Sequence, residues 1–245
     1  EADVTESFLL GFATRYEDFD TFGSTSNSKI SARFKITDDL SIRGTASTGF
    51  RAPTPGQANI ANISTVSGAD GVLFQRGTLS PTNPVSVFYG GKELTPEESE
   101  SISLGLVWDV TDALSVTLDA YRIELSDRIT QGDEVNVSDE DIATLTALGV
   151  TGAGDLTTFK FYVNDFDTTT TGYDLVATYG ADMFSGSTEF TFVLSDVETE
   201  VDRSKNGLVG QGFINRLEKS LPQTRWNLSA VHLNGDWRVL ARINS

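Results

Sequence analysis

Apolar and polar residues alternate one by one along most of this chain. Ile30, Ala32, Phe34 and Ile36 alternate with Ser31, Arg33, Lys35 and Thr37, the period of a strand with one apolar and one polar face. After Asp38-Asp39 the pattern resumes, with Leu40, Ile42, Gly44, Ala46, Thr48 and Phe50 against Ser41, Arg43, Thr45, Ser47 and Gly49. Ile102, Leu104, Leu106 and Trp108 repeat it. Within Leu114 to Ile129 the phase shifts near Ala120-Tyr121, which reads as a bulge. About nine strands are predicted, over 6–17, 28–37, 40–50, 98–110, 114–129, 157–180, 187–199, 223–233 and 237–245.

The connections say more than the strands. Every second one is very short: Asp38-Asp39, Thr111 to Ala113, Asp182 to Gly186 and Asn234 to Asp236. The others are long, over 18–27, 51–97, 130–156 and 200–222. Long loops confined to one end are unusual in a soluble sandwich and are the pattern of outer-membrane barrels, with short periplasmic turns and long outer loops. Leu114–Ile129 and Leu156–Tyr179 exceed the 9–11 residues or so that cross a bilayer, and so should project beyond it. One outer loop predicts a helix, with Ser138 as N-cap, Asp139 to Asp141 in its first turn and Gly149 at its end. The expected fold is all-β: an antiparallel up-and-down transmembrane β-barrel segment, with residues 1–245 one partial barrel domain.

Composition narrows the chemistry. In 245 residues there are no cysteines and one histidine; the first removes disulfides and thiolate metal sites, and the second nearly excludes histidine-based triads and multi-histidine metal sites. The formal charge of -17 disfavours nucleic acid, whose phosphates need a basic surface. No run approaches the roughly 18 apolar residues of a membrane-spanning helix, and Glu1-Ala2-Asp3 lacks the basic start of a signal peptide. Barrels cross membranes without such helices.

Ordered blocks then carry a resemblance: ASTGFRAPTPGQANI at 46–60, GGKELTPEESESISLGL at 90–106, LDAYRIELSDRI at 118–129, FYVNDFDTTTTGYDLVATY at 161–179, LPQTRWNLS at 221–229 and GDWRVLAR at 235–242. Together they resemble the C-terminal half of the barrel of a TonB-dependent outer-membrane receptor. The resemblance implies a plugged barrel of about 22 strands, of which this chain would be a segment lacking the plug domain and the barrel ends. It implies an active-transport receptor of the bacterial outer membrane, not an enzyme. Its partners would be a scarce nutrient (a ferric siderophore, cobalamin, an oligosaccharide or similar), its own plug, outer-membrane lipid and lipopolysaccharide, and the TonB–ExbB–ExbD complex. No cofactor and no metal is expected. The alternatives are a passive porin or a soluble carbohydrate-binding β-protein.

Individual residues allow two readings each. Phe8, Phe12, Tyr16, Trp108, Tyr173, Tyr179 and Trp226 suit the aromatic girdles of a barrel, or a half-buried soluble sheet. Arg33, Lys35, Arg43 and Arg51 share the polar parity and would face the lumen and plug; they would equally suit a solvated sheet face. Phe74, Arg76, Phe88 and Tyr89 in one outer loop, with Phe213 and Arg216 in another, could contact ligand or pack the loops together. DFDTFG at 18–23 starts like a calcium loop but has Phe22 where a third acid is due. His232 reads as a polar rim residue beside a turn, and SNSK at 26–29 as a chance match.

Overall fold

The structure, a computed structural model, describes residues 2–20, 22–69, 71–152, 154, 156–204 and 207–245. Ten strands form one continuous wall: β1 (Ala2–Thr5), β2 (Phe8–Phe19), β3 (Gly23–Lys35), β4 (Leu40–Arg51), β7 (Glu97–Thr111), β8 (Leu114–Gln131), β10 (Thr158–Met183), β11 (Gly186–Ser204), β12 (Thr224–Asn234) and β13 (Trp237–Asn244). Each is hydrogen-bonded antiparallel to the next. The remaining short strands, β5 (Asn62–Ser67), β6 (Leu73–Leu79) and β9 (Val135–Asn136), belong to the long loops. So do the helices α1 (Pro55–Asn59), α2 (Pro84–Phe88), α3 (Asp139–Ala147) and α4 (Gln211–Lys219).

Directly paired residues share a face, so the register sorts the wall. One face carries Phe8, Phe34, Ile42, Leu106, Leu118, Leu175 and Leu194 in a single cross-strand row. The other carries Ser31, Thr45, Ser103, Tyr121, Gly172 and Val197. Large apolar side chains on the first face lie open, Phe12 at 67% and Leu104 at 64% exposure. In water so large an unpartnered patch would aggregate; against lipid it is the favourable arrangement.

Several expectations are corrected. The loop expected at 18–27 is a tight connection, because β2 and β3 continue pairing up to Phe19 opposite Gly23. Above the apolar band both faces are polar, so alternation disappears while backbone pairing persists. The bulge expected at Ala120-Tyr121 is absent, since both residues pair in register on each side. It lies further on, where Leu125 and Arg128 of β8 oppose Thr168 and Phe166 of β10, and Asp127 there adopts φ 54°. The apparent phase change arises because Arg122 and Glu124 occupy the apolar parity above the band. β1 was missed because four residues show too little alternation. The predicted helix forms as α3, with a capping box between Ser138 and Asp141.

The buried hydrophobic core gathers at the loop end of the wall. It consists of Leu79, Val85, Leu145, Leu156, Phe159, Phe161 and Val209 from the long loops and the β10 extension, with Val163 and Phe166 where β10 still pairs with the wall. Residues Thr158–Phe161 of β10 continue past the wall, pairing with β6 in parallel and with β9 antiparallel. The loops thus make a folded crown with its own core.

Candidate functional site

The crown is fastened to the wall along a short stretch of β10, Asn164 to Asp167. Phe159, Phe161 and Val163 point into the crown core, and the next residue in that series is Asp165, fully buried. Its carboxylate accepts the backbone N–H groups of Leu208 and Val209, both at 3.1 Å, which joins the loop before α4 to β10. Asn164 accepts from the Thr95 N–H at 3.0 Å and donates to the carbonyls of Thr95 and Asp127. Phe166 packs edge-on against Phe213 of α4, and the Arg128 guanidinium lies 5.3 Å from its ring centre. Asp167 accepts the Asp127 N–H, holding the strained residue of the bulge. Four consecutive residues therefore fasten the loops on both sides to one strand.

Beside them sits a buried acid. Glu97 accepts from Arg51 through two nitrogens at 2.5 Å and from the Ile129 N–H at 2.6 Å. Burial works against its ionisation, but the hydrogen bonds from Arg51 and Ile129 and the charges of Arg51 and Arg128 outweigh that and hold its pKa below the ordinary value. The Arg128 pKa is lowered as well, in its case by burial. Arg51 thus closes the end of β4, after which Pro53 and a capping box of Thr54 with Gln57 start α1.

The six candidate ligand residues divide by environment. Tyr89 packs on Phe159 and Phe213 on Phe166, so both serve the crown core. Burial, with Asp141 facing it, raises the Tyr89 pKa to about 12; its hydroxyl makes no direct hydrogen bond, so Asp141 acts through space. Arg76 pairs with Glu134 at 3.0 Å and lies near the Phe74 ring. Phe88 is exposed, and Arg216 extends over Phe213. Phe74, Arg76 and Phe88 are carried by one loop and Arg216 by another.

Arg33, Lys35, Arg43 and Arg51 share the polar face of β3 and β4. Three are neutralised: Lys35 by Asp38, Arg51 by Glu97, and Arg43 by Asp119 at 2.7 Å across β7. That last pair needs Gly105, where a Cβ would collide with both side chains. Gly172 is required likewise, because the Tyr121 ring lies flat over it. Arg33 stands opposite Arg43 and forms no ion pair among the described residues.

The seven proposed girdle aromatics lie on the apolar face. Phe8, Trp108 and Tyr179 sit towards the short turns, and Tyr16, Tyr173 and Trp226 towards the crown. Trp237, exposed at 78%, joins the turn-side group. His232 shares a 2.8 Å hydrogen bond with the Thr188 hydroxyl and packs against Phe184. Among the described residues no three acidic or imidazole groups converge as a cation site; Thr21 of the DFDTFG stretch lies outside the described residues.

Asn164, Asp165 and Glu97 were not anticipated as organising residues. Asp165 did leave a signal, a carboxylate in a position where an apolar residue was due. Glu97 left none, because its partners come from strands far apart in sequence.

Comparison with known proteins places this architecture. A model of the TonB dependent receptor-like β-barrel matches residues 1–245. The sequence has no significant match among curated proteins. Among solved structures, the chain is similar to the siderophore receptor PirA from Pseudomonas aeruginosa, with TM-score 0.61, 13% identity, and coverage of 99% of this chain and 38% of that one. It is also similar to a mutant of the ferric enterobactin receptor PfeA from Pseudomonas aeruginosa, with TM-score 0.64, 16% identity and coverage of 99% and 30%. The RagAB peptide importer shares the fold at TM-score 0.54 and 15% identity, with coverage of 83% and 21%. The chain therefore spans little more than a third of the first of these proteins.

Proposed function

This chain belongs to the TonB-dependent receptor β-barrel family, and from that premise we propose that it is the crown-bearing part of an outer-membrane nutrient receptor. The observation that carries the proposal is the division of labour in the fold. The wall has one continuous apolar face and one polar face, while the buried core lies in loops gathered at one end. A wall built this way suits lipid outside and a polar lumen inside, and a rigid crown suits ligand capture at the mouth.

In this reading, Phe74, Arg76, Phe88 and Arg216 meet the ligand, with Tyr89 and Phe213 holding the crown that presents them. Arg33, Lys35, Arg43 and Arg51 line the lumen against a plug domain supplied by the rest of the protein. Energy reaches the plug through the TonB–ExbB–ExbD complex, so the transport chemistry needs no catalytic residue or cofactor. Residues 1–245 act as one part of a single larger barrel domain. Two of the similar structures are siderophore receptors, which makes an iron chelate the first ligand to test.

The full-length parent should restore growth on ferric enterobactin in an iron-limited strain lacking its own receptor, and only when TonB is present. The triple variant F74A/R76A/F88A should lose most of that uptake while the barrel still assembles. Uptake that persists without TonB would overturn active transport in favour of a passive pore. Undiminished uptake by the triple variant would overturn capture by this loop.

A further inference from the structure

We propose that the wall holds a window between the crown-side halves of β3 and β4, and that this window binds a short basic oligopeptide as an added strand. The inference needs only the wall and is separate from nutrient capture at Phe74, Arg76, Phe88 and Arg216.

The window follows from where pairing stops. β2 pairs with β3 up to Gly23, and β7 with β4 up to Arg51, yet β3 and β4 pair with each other only as far as Lys29 opposite Ser47. At the parting, the Ser28 N–H donates to the Thr48 hydroxyl at 3.1 Å in place of a backbone carbonyl. At the crown end the gap is closed by aromatic rings: Phe19 stacks on Phe22, and Phe50 lies 5.6 Å from the first and 6.4 Å from the second. Between these limits is an open cavity of about 360 Å³, within the roughly 300–1,000 Å³ of small-ligand sites.

Both banks offer free backbone. In an antiparallel pair, the residues that turn their N–H and C=O groups to a given neighbour alternate along the strand. Asp109 donates to the Asp39 carbonyl, so counting in register Gly49 and Arg51 face β7, while Thr48 and Phe50 face the window. Ser28 turns its N–H towards β4, and Ser26 and Ser24 follow by the same alternation. Across the gap Ser24, Ser26, Thr48 and Phe50 have no backbone partner among the described residues. Proteins usually blunt such an edge with a charge or a proline, or cover it. The crown-side edge of β11 is covered: Glu218 of α4 accepts the Val201 N–H, and the Gln223 carbonyl accepts the Val197 N–H. Residues 23–28 and 48–50 carry neither charge nor proline, which leaves both banks open to a strand supplied from outside.

The surrounding side chains select the occupant. On the outward face Thr48 stands opposite Glu100 and Phe50 opposite Glu98, and neither carboxylate makes an ion pair among the described residues. Arg122 on that face is already paired with Glu124, and Lys29, at the foot of the window, lies on the inner face. The inner lining of Thr25, Asn27 and Gly49 is uncharged, and the Thr25 hydroxyl is buried without a hydrogen-bond partner. The occupant is therefore an extended segment whose lysine or arginine reaches outwards over Thr48 to Glu98 and Glu100, with small polar residues on either side pointing in. Its paired length is bounded as well, since Ser24 to Ser28 spans roughly 13 Å. A contact so short falls far below the roughly 1,600 Å² that stable protein partners bury, so a free oligopeptide fits it and a second receptor does not.

The test uses the full-length parent in detergent and two capped, fluorescein-labelled hexapeptides, Val-Thr-Lys-Thr-Val-Thr and Val-Thr-Glu-Thr-Val-Thr, with binding read by anisotropy. The lysine peptide should bind about fivefold more tightly than the glutamate peptide, the scale of an exposed ion pair. E98Q/E100Q should remove that preference. S26P takes away a donor that faces the window but no hydrogen bond of the wall, and should weaken the lysine peptide by about tenfold, the scale of one lost hydrogen bond. A lysine peptide N-methylated at alternate residues tests the same pairing on an unaltered receptor and should not bind. Equal affinity for the lysine and glutamate peptides would overturn the charge assignment. Undiminished binding of the methylated peptide, undiminished binding by S26P, or no binding of either plain peptide would overturn the window. Binding should persist in F74A/R76A/F88A whatever becomes of nutrient uptake; its loss there would move the site to the crown and overturn the inference.

Discussion

Glu97 shows how one residue can hold the junction between wall and crown. Its folded pKa lies below the ordinary 4.5, so the stability it contributes is fully present above that value and is lost as the pH falls through the folded pKa. The expected outcome is that protection of the Ile129 amide against hydrogen exchange, corrected for intrinsic rate, declines as the pH drops below about 4.5. In E97Q the protection should be lower throughout and nearly independent of pH over that range. A wild-type protection profile that stays flat down to pH 3 would sink this account. The alternating pattern marked Arg51 as belonging to the polar face, but nothing near it in sequence marked Glu97, 46 positions later, as its partner. Pairing across strands is set by register, and register depends on turns that composition alone does not measure.

Asn164 to Asp167 works at the scale of an element, because one strand serves two structures. Below this stretch β10 is part of the wall; above it, the same strand enters the crown core. Asp165 takes the place of an apolar residue because the loop before α4 arrives with two N–H groups that need an acceptor in a buried site. Replacing it with alanine leaves the Leu208 and Val209 donors unsatisfied, at about 1–3 kcal/mol for each buried group. D165A should therefore speed protease cleavage between residues 207 and 223 by about tenfold or more, while the wall keeps its heat-modifiable mobility on gels. Cleavage at the wild-type rate would show that the loop is held by other contacts. Much of this element could be read in advance: the length of β10 and the capped helix α3 both followed from local pattern. The short strands β5, β6 and β9 could not: β5 and β6 form a local hairpin without clean alternation, and β6 and β9 are fixed by pairing with β10.

On the scale of the whole molecule, an apolar face crossing the nine strands from β2 to β13 suits a lipid surround. Reconstituted into bilayers containing brominated lipid, the full-length parent should show strong quenching of Trp108 and Trp226 and little quenching by aqueous iodide. The reverse result would place this face in water and remove the premise of the membrane wall. Trp237 sits on the same face near a short turn and should be quenched most by bromines near the headgroup region. Arg33, without an ion-pair partner among the described residues and opposite Arg43, gives the polar face a local positive charge.

What the sequence determined by itself is what depends on near neighbours: the two-residue period, the apolar and polar faces, the short turns at one end, and the capped helix. These follow from backbone geometry and local hydrogen bonding, which act over a few residues. Tertiary structure alone decided that β2 and β3 keep pairing where alternation fades, and that the bulge sits at Asp127 rather than at Tyr121. It also decided that Tyr89 and Phe213 face a core. Each of these depends on which strand lies beside which, and at what register. That choice is made by summed contacts between residues tens of positions apart, so no short stretch of the chain carries it.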